Sequence, residues 1–554
     1  MKRIVFLLSI LFPCIELYAQ KTRPQILQQV LADANLPGIQ LVYTANGKTT
    51  AYNAGVGKEG LTQIINSKTI FRAGSLGKCV FAYAVLRLYD RGVLSLDTPL
   101  LRYIGSYKRF DAKDPRYSMI TARMVLSHTS GLAEFQEFDT GEPVKLLFAP
   151  GSSFSYSGEG YWFLQKVLEK LTNKPLEQLM QEEVFKPLRM QSSTYVQNQG
   201  MDISVIGPEN KDLADMMPNA AFTLLTNAHD YNLFLQALLA GKGLKPATQK
   251  LMFSKQSNAQ WFGHPAGKAD DYINWGLGLG LQYNQKGNML WHWGSTGDFY
   301  SFFIANPVSK QSMVFFTCGT SALKITDQLA DIFMGKQTTW AMRWLGLGYD
   351  HPETMPRLYN ALRQQGFNNV PLVFNNLKSK GYQFSERDIN AYGYVLMKQM
   401  LYKQAFAIFK QQVAMYPQSA NAYDSFAEAS EGLGNKQLAI NSYKRSLGLD
   451  TTNVAARYHI KGLENPAFTA DKLNVFTGKF TKLDKADVFL KLEAKRNRII
   501  LTQSWDGNKL EFFRIGDLEF YNTDTQFKLR FEKDTSGAID KAFVTNNVAW
   551  IKVK

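Results

Sequence analysis

Phe71-Arg72-Ala73-Gly74-Ser75-Leu76-Gly77-Lys78 is the stretch on which the reading of this chain turns. It opens the apolar run Val80 to Leu88, which predicts a helix with Ser75 and Lys78 at its start. Residues i and i+3 share one helix face. The first turn also presents unpaired N–H groups and the positive end of the helix dipole. A serine hydroxyl needs a neighbouring base to attack a carbonyl. A lysine one turn away serves as that base when burial lowers its pKa, or it tunes another. Ser-x-x-Lys alone says little, because on an exposed helix the lysine is simply solvated.

Two further stretches carry chemistry. Pro150-Gly151-Ser152-Ser153-Phe154-Ser155-Tyr156-Ser157-Gly158 is a Gly- and Ser-rich turn holding one tyrosine, followed by the amphipathic run Tyr161 to Lys170. A tyrosine hydroxyl in a cleft shuttles protons when a nearby cation lowers its pKa. Trp291-His292-Trp293-Gly294-Ser295-Thr296-Gly297 lies between Met289-Leu290 and Phe302-Phe303-Ile304. Glycines on an edge strand admit a ligand closely. An N–H from that strand can join the Ser75 N–H as an oxyanion hole.

In this order and with these flanks, the three stretches resemble the serine β-lactamase and penicillin-binding family. The branch is that of class C β-lactamases, D-alanyl-D-alanine carboxypeptidases, D-amino acid peptidases and related esterases. Leu126-Ser127-His128-Thr129-Ser130-Gly131-Leu132, Pro187-Leu188-Arg189-Met190 and Asn227-Ala228-His229-Asp230-Tyr231 agree with it, and the likeness runs over roughly residues 25 to 340. The resemblance implies an α/β fold, an antiparallel sheet flanked by helices with a helical subdomain. It implies Ser75 as nucleophile and Lys78 as the adjacent base or its tuner. It implies Tyr156 as general base and then acid to the leaving group. His292 stands where lactamases have the Lys of Lys-Thr-Gly, and His-x-Gly looks like the peptidase and esterase members. Ser295, after Gly294, would give the second oxyanion N–H beside that of Ser75, and Gly158 would border the substrate.

Gly158 is also the departure from the family pattern, which is usually Tyr-x-Asn. A lost charge-assisted hydrogen bond is worth roughly 1.5–3 kcal/mol, or about one to two decades of rate. Efficient β-lactam hydrolysis is therefore not expected. His128 and His229 read as structural, and Trp261, Trp293 and Tyr300 as core more than substrate platform. No His-Glu-x-x-His or other metal spacing occurs, so neither metal nor cofactor is expected.

Working outward, 554 residues with 45% apolar and 20% charged side chains exclude a mainly disordered chain. The formal charge is +16, from 63 Lys and Arg against 47 Asp and Glu. Such a balance suits nucleic acid, membrane headgroups or an acidic wall polymer. No nucleic-acid motif accompanies the densest basic stretch, Lys491, Lys495, Arg496 and Arg498, so no nucleic-acid partner is expected. Residues 1–19 read as a signal peptide: Lys2 and Arg3, the apolar Ile4 to Phe12, then Leu17-Tyr18-Ala19. Cleavage after Ala19 and export, to the periplasm, are expected. Cys14 raises a lipoprotein alternative that Pro13 fits poorly. No later run reaches about 18 apolar residues, so no stable membrane insertion is expected. Cys79 and Cys318 read as two buried thiols in preference to a disulfide.

Texture divides the rest. Residues 20–345 mix strands, helices and Gly-rich turns, and Gly346 to Pro352 breaks the pattern. Residues 346–465 read as helical, with a weak 34-residue period pairing Gly393 with Ala427, Ala405 with Ala439 and Phe409 with Tyr443. This resembles two tetratricopeptide repeats, with Pro417 closing the first. Two repeats are too few to stand alone, so they are expected to dock on a neighbour and could hold a protein partner. Residues 466–554 read as a small β-rich domain, a barrel or curled sheet. Phe527 to Glu532 alternates apolar and charged residues, Asp506-Gly507 and Asp534 to Gly537 read as turns, and Val548 to Val553 as a last strand.

The reading that results is an exported serine hydrolase. It would act through an acyl-enzyme on small esters, D-amino acid amides or peptides, or less readily β-lactams. The alternative is a sensor or scaffold that binds penicillin or a wall fragment and docks a partner through the helical repeats. Turnover separates the two.

Overall fold

Val314-Phe315-Phe316 and Phe302-Phe303-Ile304 show no apolar–polar alternation, as expected of strands covered on both faces. The computed structural model describes residues 22–34, 36–57, 64–135, 143–197, 217–296, 299–319, 322–347, 350–351, 354–464, 470–482, 485–495, 498–504, 509–522, 527–544 and 549–553. The signal-peptide reading, Gly297, Asp506-Gly507 and Val548 lie outside the described residues.

The first ten strands are β1 (Gly38–Ala45), β2 (Lys48–Gly55), β3 (Phe71–Arg72), β4 (Leu225–Thr226), β5 (Ser257–Asn258), β6 (Ile273–Trp275), β7 (Gly280–Asn284), β8 (Gly287–Ser295), β9 (Phe299–Asn306) and β10 (Gln311–Cys318). Eight of them form one sheet in the order β2-β1-β10-β9-β8-β7-β6-β5, while β3 and β4 pair separately. All the ladders are antiparallel. Period-two geometry sends Val42, Phe303, Val314 and Phe316 to one core, with Val80, Phe81 and Phe234. Leu41, Phe302, Ile304 and Phe315 go to the other, with Leu27, Leu329 and Phe333.

The predicted helix after Ser75 spans Gly77–Asp90, and all its residues from Lys78 to Leu86 are buried. A helix buried all round need not be amphipathic. The helix Gly158–Thr172 packs in the same core through Tyr161, Phe163, Leu164 and Leu168. The active-site turn thus lies between this helical layer and the sheet. Cys79 and Cys318 are both buried and are not joined in a disulfide. Among the described residues no helix is long and apolar enough to cross a membrane.

Farther along, helices Glu386–Lys398, Tyr402–Met415, Ala420–Gly432 and Lys436–Leu449 pack each against the next. Gly393 lies so close to the Phe409 ring that a Cβ there would overlap it. One period later, Tyr443 packs with Ala427 and Ala439. Both ends of this helical layer are occupied. On one side Arg363 pairs with Asp33 at 3.1 Å, and Lys324 Nζ donates to Ala391 O at 3.1 Å. On the other, Tyr458 packs on Tyr521 at 4.4 Å between ring centres, and His459 stacks on Phe513 at 5.1 Å.

Tyr521 and Phe513 belong to a closed eight-stranded barrel between Gly478 and Lys552. Its first strand, Gly478–Lys482, pairs with both the second, Lys485–Lys495, and the last, Ala549–Lys552. Leu490, Leu492, Leu501, Phe512, Phe520 and Phe531 form its core with Leu473 and Phe476 from the segment before it. The alternating segment is strand Lys528–Lys533, with Leu529 and Phe531 inward. Asp534 to Gly537 turns, Gly537 N donating to Asp534 O at 3.0 Å. In the basic stretch, Arg498 lies 3.8 Å from Glu431 and 3.6 Å from Glu511.

Gly393→Ala is expected to destabilise the helical layer by about 1–3 kcal/mol through overpacking against Phe409. Phe409→Leu in the same chain should recover part of that loss. Urea unfolding followed by circular dichroism checks both.

Candidate active site

Ser75 sits in a short 3-10 turn, Gly74–Leu76, that runs directly into helix Gly77–Asp90. The turn is shaped by Gly74, whose φ of +54° is in the left-handed region. A Cβ on Gly74 would lie 2.9 Å from Ser295 N and 3.1 Å from Ser295 O. Opposite, a Cβ on Gly294 would overlap Ala73 O and Ser301 Oγ. The Ser301 hydroxyl donates to Ala73 O at 2.9 Å. Two glycines and one serine therefore press the end of β8 against the Ser75 turn. This brings Gly294 and Ser295 beside Ser75.

Lys78 is completely buried. Its Nζ donates to Ser75 Oγ at 3.2 Å and to Ala221 O at 2.9 Å, and lies 4.7 Å from the centre of the Tyr156 ring. Desolvation lowers its pKa from 10.5 to about 7, with the Glu134 carboxylate opposing the shift. The amine is thus partly neutral near neutral pH, where an ordinary lysine is charged.

Tyr156 is buried, with its hydroxyl turned toward Ser75 but lacking a hydrogen bond of regular geometry. Burial raises its pKa well above 10, against the favourable effect of Ser75. Its ring packs on Trp293 at 4.7 Å and lies near Trp261 at 6.3 Å, so those indoles form the wall of the tyrosine.

Two histidines stand behind Tyr156. His128 O accepts from Ser155 N at 2.9 Å, and His128 Nδ1 accepts from Ser157 N at 3.0 Å. The His128 ring lies 4.3 Å from that of Tyr156. This histidine grips the tyrosine loop on both sides, a role that its sequence motif does not reveal. His292 is fully buried, and its Nδ1 donates to Trp293 O at 2.7 Å. Desolvation lowers its pKa to about 3. A neutral imidazole 6.0 Å from the Tyr156 ring supplies no positive charge in place of the family's lysine.

Gly158 requires a correction. The residue was expected to border the substrate, but its N–H donates to Glu134 O at 2.8 Å, and Glu159 N donates to the same oxygen at 3.0 Å. A Cβ at Gly158 would overlap the Phe135 ring. The Ser157 hydroxyl donates to Ala133 O at 2.8 Å and accepts from Gly160 N at 3.0 Å. Residues 133–135 thus form a strap that caps the helix start and fills the space of the missing side chain. The strap brings the Phe135 ring 6.0 Å from Lys78 Nζ and 5.4 Å from the Phe222 ring. Nothing in the sequence marks Glu134, Phe135 or Ala221: main-chain carbonyls engage the first and last, and ring contacts place Phe135. Among the described residues no group of acidic, His or Cys side chains could hold a metal ion.

The folded-state pKa of Lys78 lies below the unfolded value of 10.5, so the unfolded chain binds the extra proton. Stability should therefore rise with pH between about 7 and 10.5 through this group. Lys78→Met should be folded and more stable at pH 7 by on the order of 1 kcal/mol or more. Thermal unfolding of both proteins at pH 7 checks the sign.

The chain is similar to several known proteins. Penicillin-binding protein 4 of Amycolatopsis lactamdurans is 26% identical over 209 residues, 34% of this chain and 54% of that protein. Esterase EstB of Burkholderia gladioli is 28% identical over 200 residues, 31% of this chain and 50% of that protein. The chain thus spans about half the length of these relatives. Among solved structures, the D-amino acid amidase of Ochrobactrum anthropi aligns with a TM-score of 0.44 at 20% identity, covering 53% of this chain and 91% of that one. The Beta-lactamase family profile matches residues 24–329, more than half of the sequence, and the chain belongs to the Beta-lactamase family.

Proposed function

We propose that this protein is a serine hydrolase that works through an acyl-enzyme on Ser75. The observation that carries the reading is the Lys78 amine, buried and 3.2 Å from Ser75 Oγ, with a pKa of about 7. A general base is most useful when its pKa lies near the working pH. Tyr156 stays protonated under the same burial, so Lys78 is the better base and Tyr156 the better acid.

Neutral Lys78 takes the hydroxyl proton as Ser75 Oγ bonds to the substrate carbonyl carbon. The carbonyl oxygen becomes an oxyanion, facing the N–H groups of Ser75 and Ser295. Such donors act where charge develops and are worth several kcal/mol, about 3–4 each. The tetrahedral intermediate collapses by breaking the bond to the leaving alcohol or amine. That group takes the Tyr156 proton, and the Lys78 ammonium restores it. Water then repeats the sequence on the acyl-enzyme. His128 and His292 are positioning residues that hold the Tyr156 ring.

The strap over Gly158 supports small esters, amides and short peptides over β-lactams, because no side-chain amide is available there. Residues 1–19 support action outside the cytoplasm. The helices from 386 to 449 read as two tetratricopeptide-like repeats. Because the helices on either side of them, Met355–Gln365 and Val454–Glu464, contact Asp33 and Tyr521, a connecting role is favoured over partner docking.

Ser75→Ala should abolish turnover of a small ester and leave the melting temperature within a few degrees of the parent. Intact mass after mixing should show an acyl adduct only when Ser75 is present. Unchanged kinetics in the variant would sink the proposal. The sign of the pH dependence follows from Lys78: protonated below about 7 it cannot accept a proton, so kcat/KM should climb through pH 7 and then level. A profile that is flat from pH 5 to 9 would remove Lys78 as base.

A further inference from the structure

A groove of about 460 Å³ opens beside the tyrosine loop, within the range of small-ligand pockets, roughly 300–1,000 Å³. Residues 151–154, just before Tyr156, form one wall, and residues 256–264 form the other. Main-chain contacts join the walls: Phe262 N donates to Phe154 O at 2.8 Å, and Phe154 forms a parallel bridge with Trp261. Strand β5 is the last in its sheet, so the groove runs along an open edge. Trp261 belongs to both places, since it lines the groove and its ring lies 6.3 Å from that of Tyr156.

Two aromatic rings are firmly seated there. Trp261 stacks on Trp344 at 5.3 Å and meets Phe154 edge-on at 5.9 Å. Phe262 packs on Phe148 at 5.0 Å yet remains 47% exposed. An exposed ring that its neighbours already hold gives up little entropy when a ligand covers it. In the same lining stand Ser153, Asn258 and Gln260, whose side chains have no hydrogen-bond partner among the described residues. Side-chain amides offer donors and acceptors together.

The chain carries a formal charge of +16, but among the described residues no Lys, Arg, Asp or Glu lines the groove, and His264 is its one titratable side chain. Arg123 is committed to Asp97 at 2.6 Å and to Gln256 at 2.8 Å. A charged ligand would leave water without meeting an opposite charge, and a wholly apolar one would cover unpaired amides. The lining suits a neutral molecule with many hydroxyls and one apolar face. A pyranose ring has that form: its C–H face meets the negative face of an aromatic ring, and its hydroxyls meet the amides. An extended peptide would need a longer edge than the two residues of β5.

We propose that this groove is a binding site for a neutral saccharide, with Phe262 as its platform and Ser153, Asn258 and Gln260 as partners of the sugar hydroxyls. It attaches the protein to a glycan independently of acyl transfer at Ser75.

The test titrates the full chain with cellobiose and with N,N′-diacetylchitobiose, followed by saturation-transfer NMR and calorimetry. Glucuronic acid and the blocked peptide N-acetyl-trialanine amide serve as competitors. At least one disaccharide should bind saturably, and neither competitor should displace it. Phe262→Ala should weaken binding about tenfold or more, the range for losing an aromatic contact and its buried area. Phe262→Tyr, which keeps a ring, should retain it. Asn258→Ala should weaken binding by about two- to tenfold, the range for one hydrogen bond. Ser75→Ala should bind as the parent does. Melting temperatures of the variants control for folding. Absence of saturable binding of both disaccharides, binding unchanged in Phe262→Ala, or displacement by glucuronic acid or the peptide overturns the assignment, and each leaves the acyl-transfer reading standing.

Discussion

The contact between the end of β8 and the turn before Lys78 is the constraint from which the site follows. Ala73 O is met by the Ser301 hydroxyl, and Gly294 leaves no room for a side chain between them. Relaxing that contact by the width of one methyl group would move Ser295 away from Ser75. The sheet shares one core with the helical layer, and this seam fixes how the two sit relative to each other beside Ser75. Close-packed interiors transmit such a shift instead of absorbing it.

Lys78 shows why the seam must also be dry. Its amine has three donors, and among the described residues Ser75 Oγ and Ala221 O receive them. The rings of Tyr156, Tyr161 and Phe135 lie around it. That enclosure disfavours the ammonium and lowers its pKa to about 7. Stability is given up locally to hold the amine there, a pattern common at functional sites.

Much of this was legible in the sequence, for identifiable reasons. Ser75, Lys78, Tyr156 and Gly294 sit in short motifs whose chemistry depends on residue type and local spacing. The barrel was legible from alternation at Phe527 to Glu532, and the helical layer from the helical texture of residues 346–465. Glu134 and Phe135 were not legible. Their positions depend on which carbonyl caps the helix at Gly158, a contact between segments more than twenty residues apart. Gly158 itself was read as an open border of the substrate, when it is glycine because Phe135 occupies the space. His292 was legible in position but not in charge, because burial decides its protonation and burial is a tertiary property.

The closed barrel has a consequence for the order in which the chain can be built. Its first strand finds one partner at once in the adjacent hairpin, but the other only in Ala549–Lys552. Until those residues arrive, two strand edges stand open, each a template for pairing with another molecule. A half-built barrel is therefore a sheet with bare edges, and pairing of Gly478–Lys482 with Ala549–Lys552 is the step that removes them.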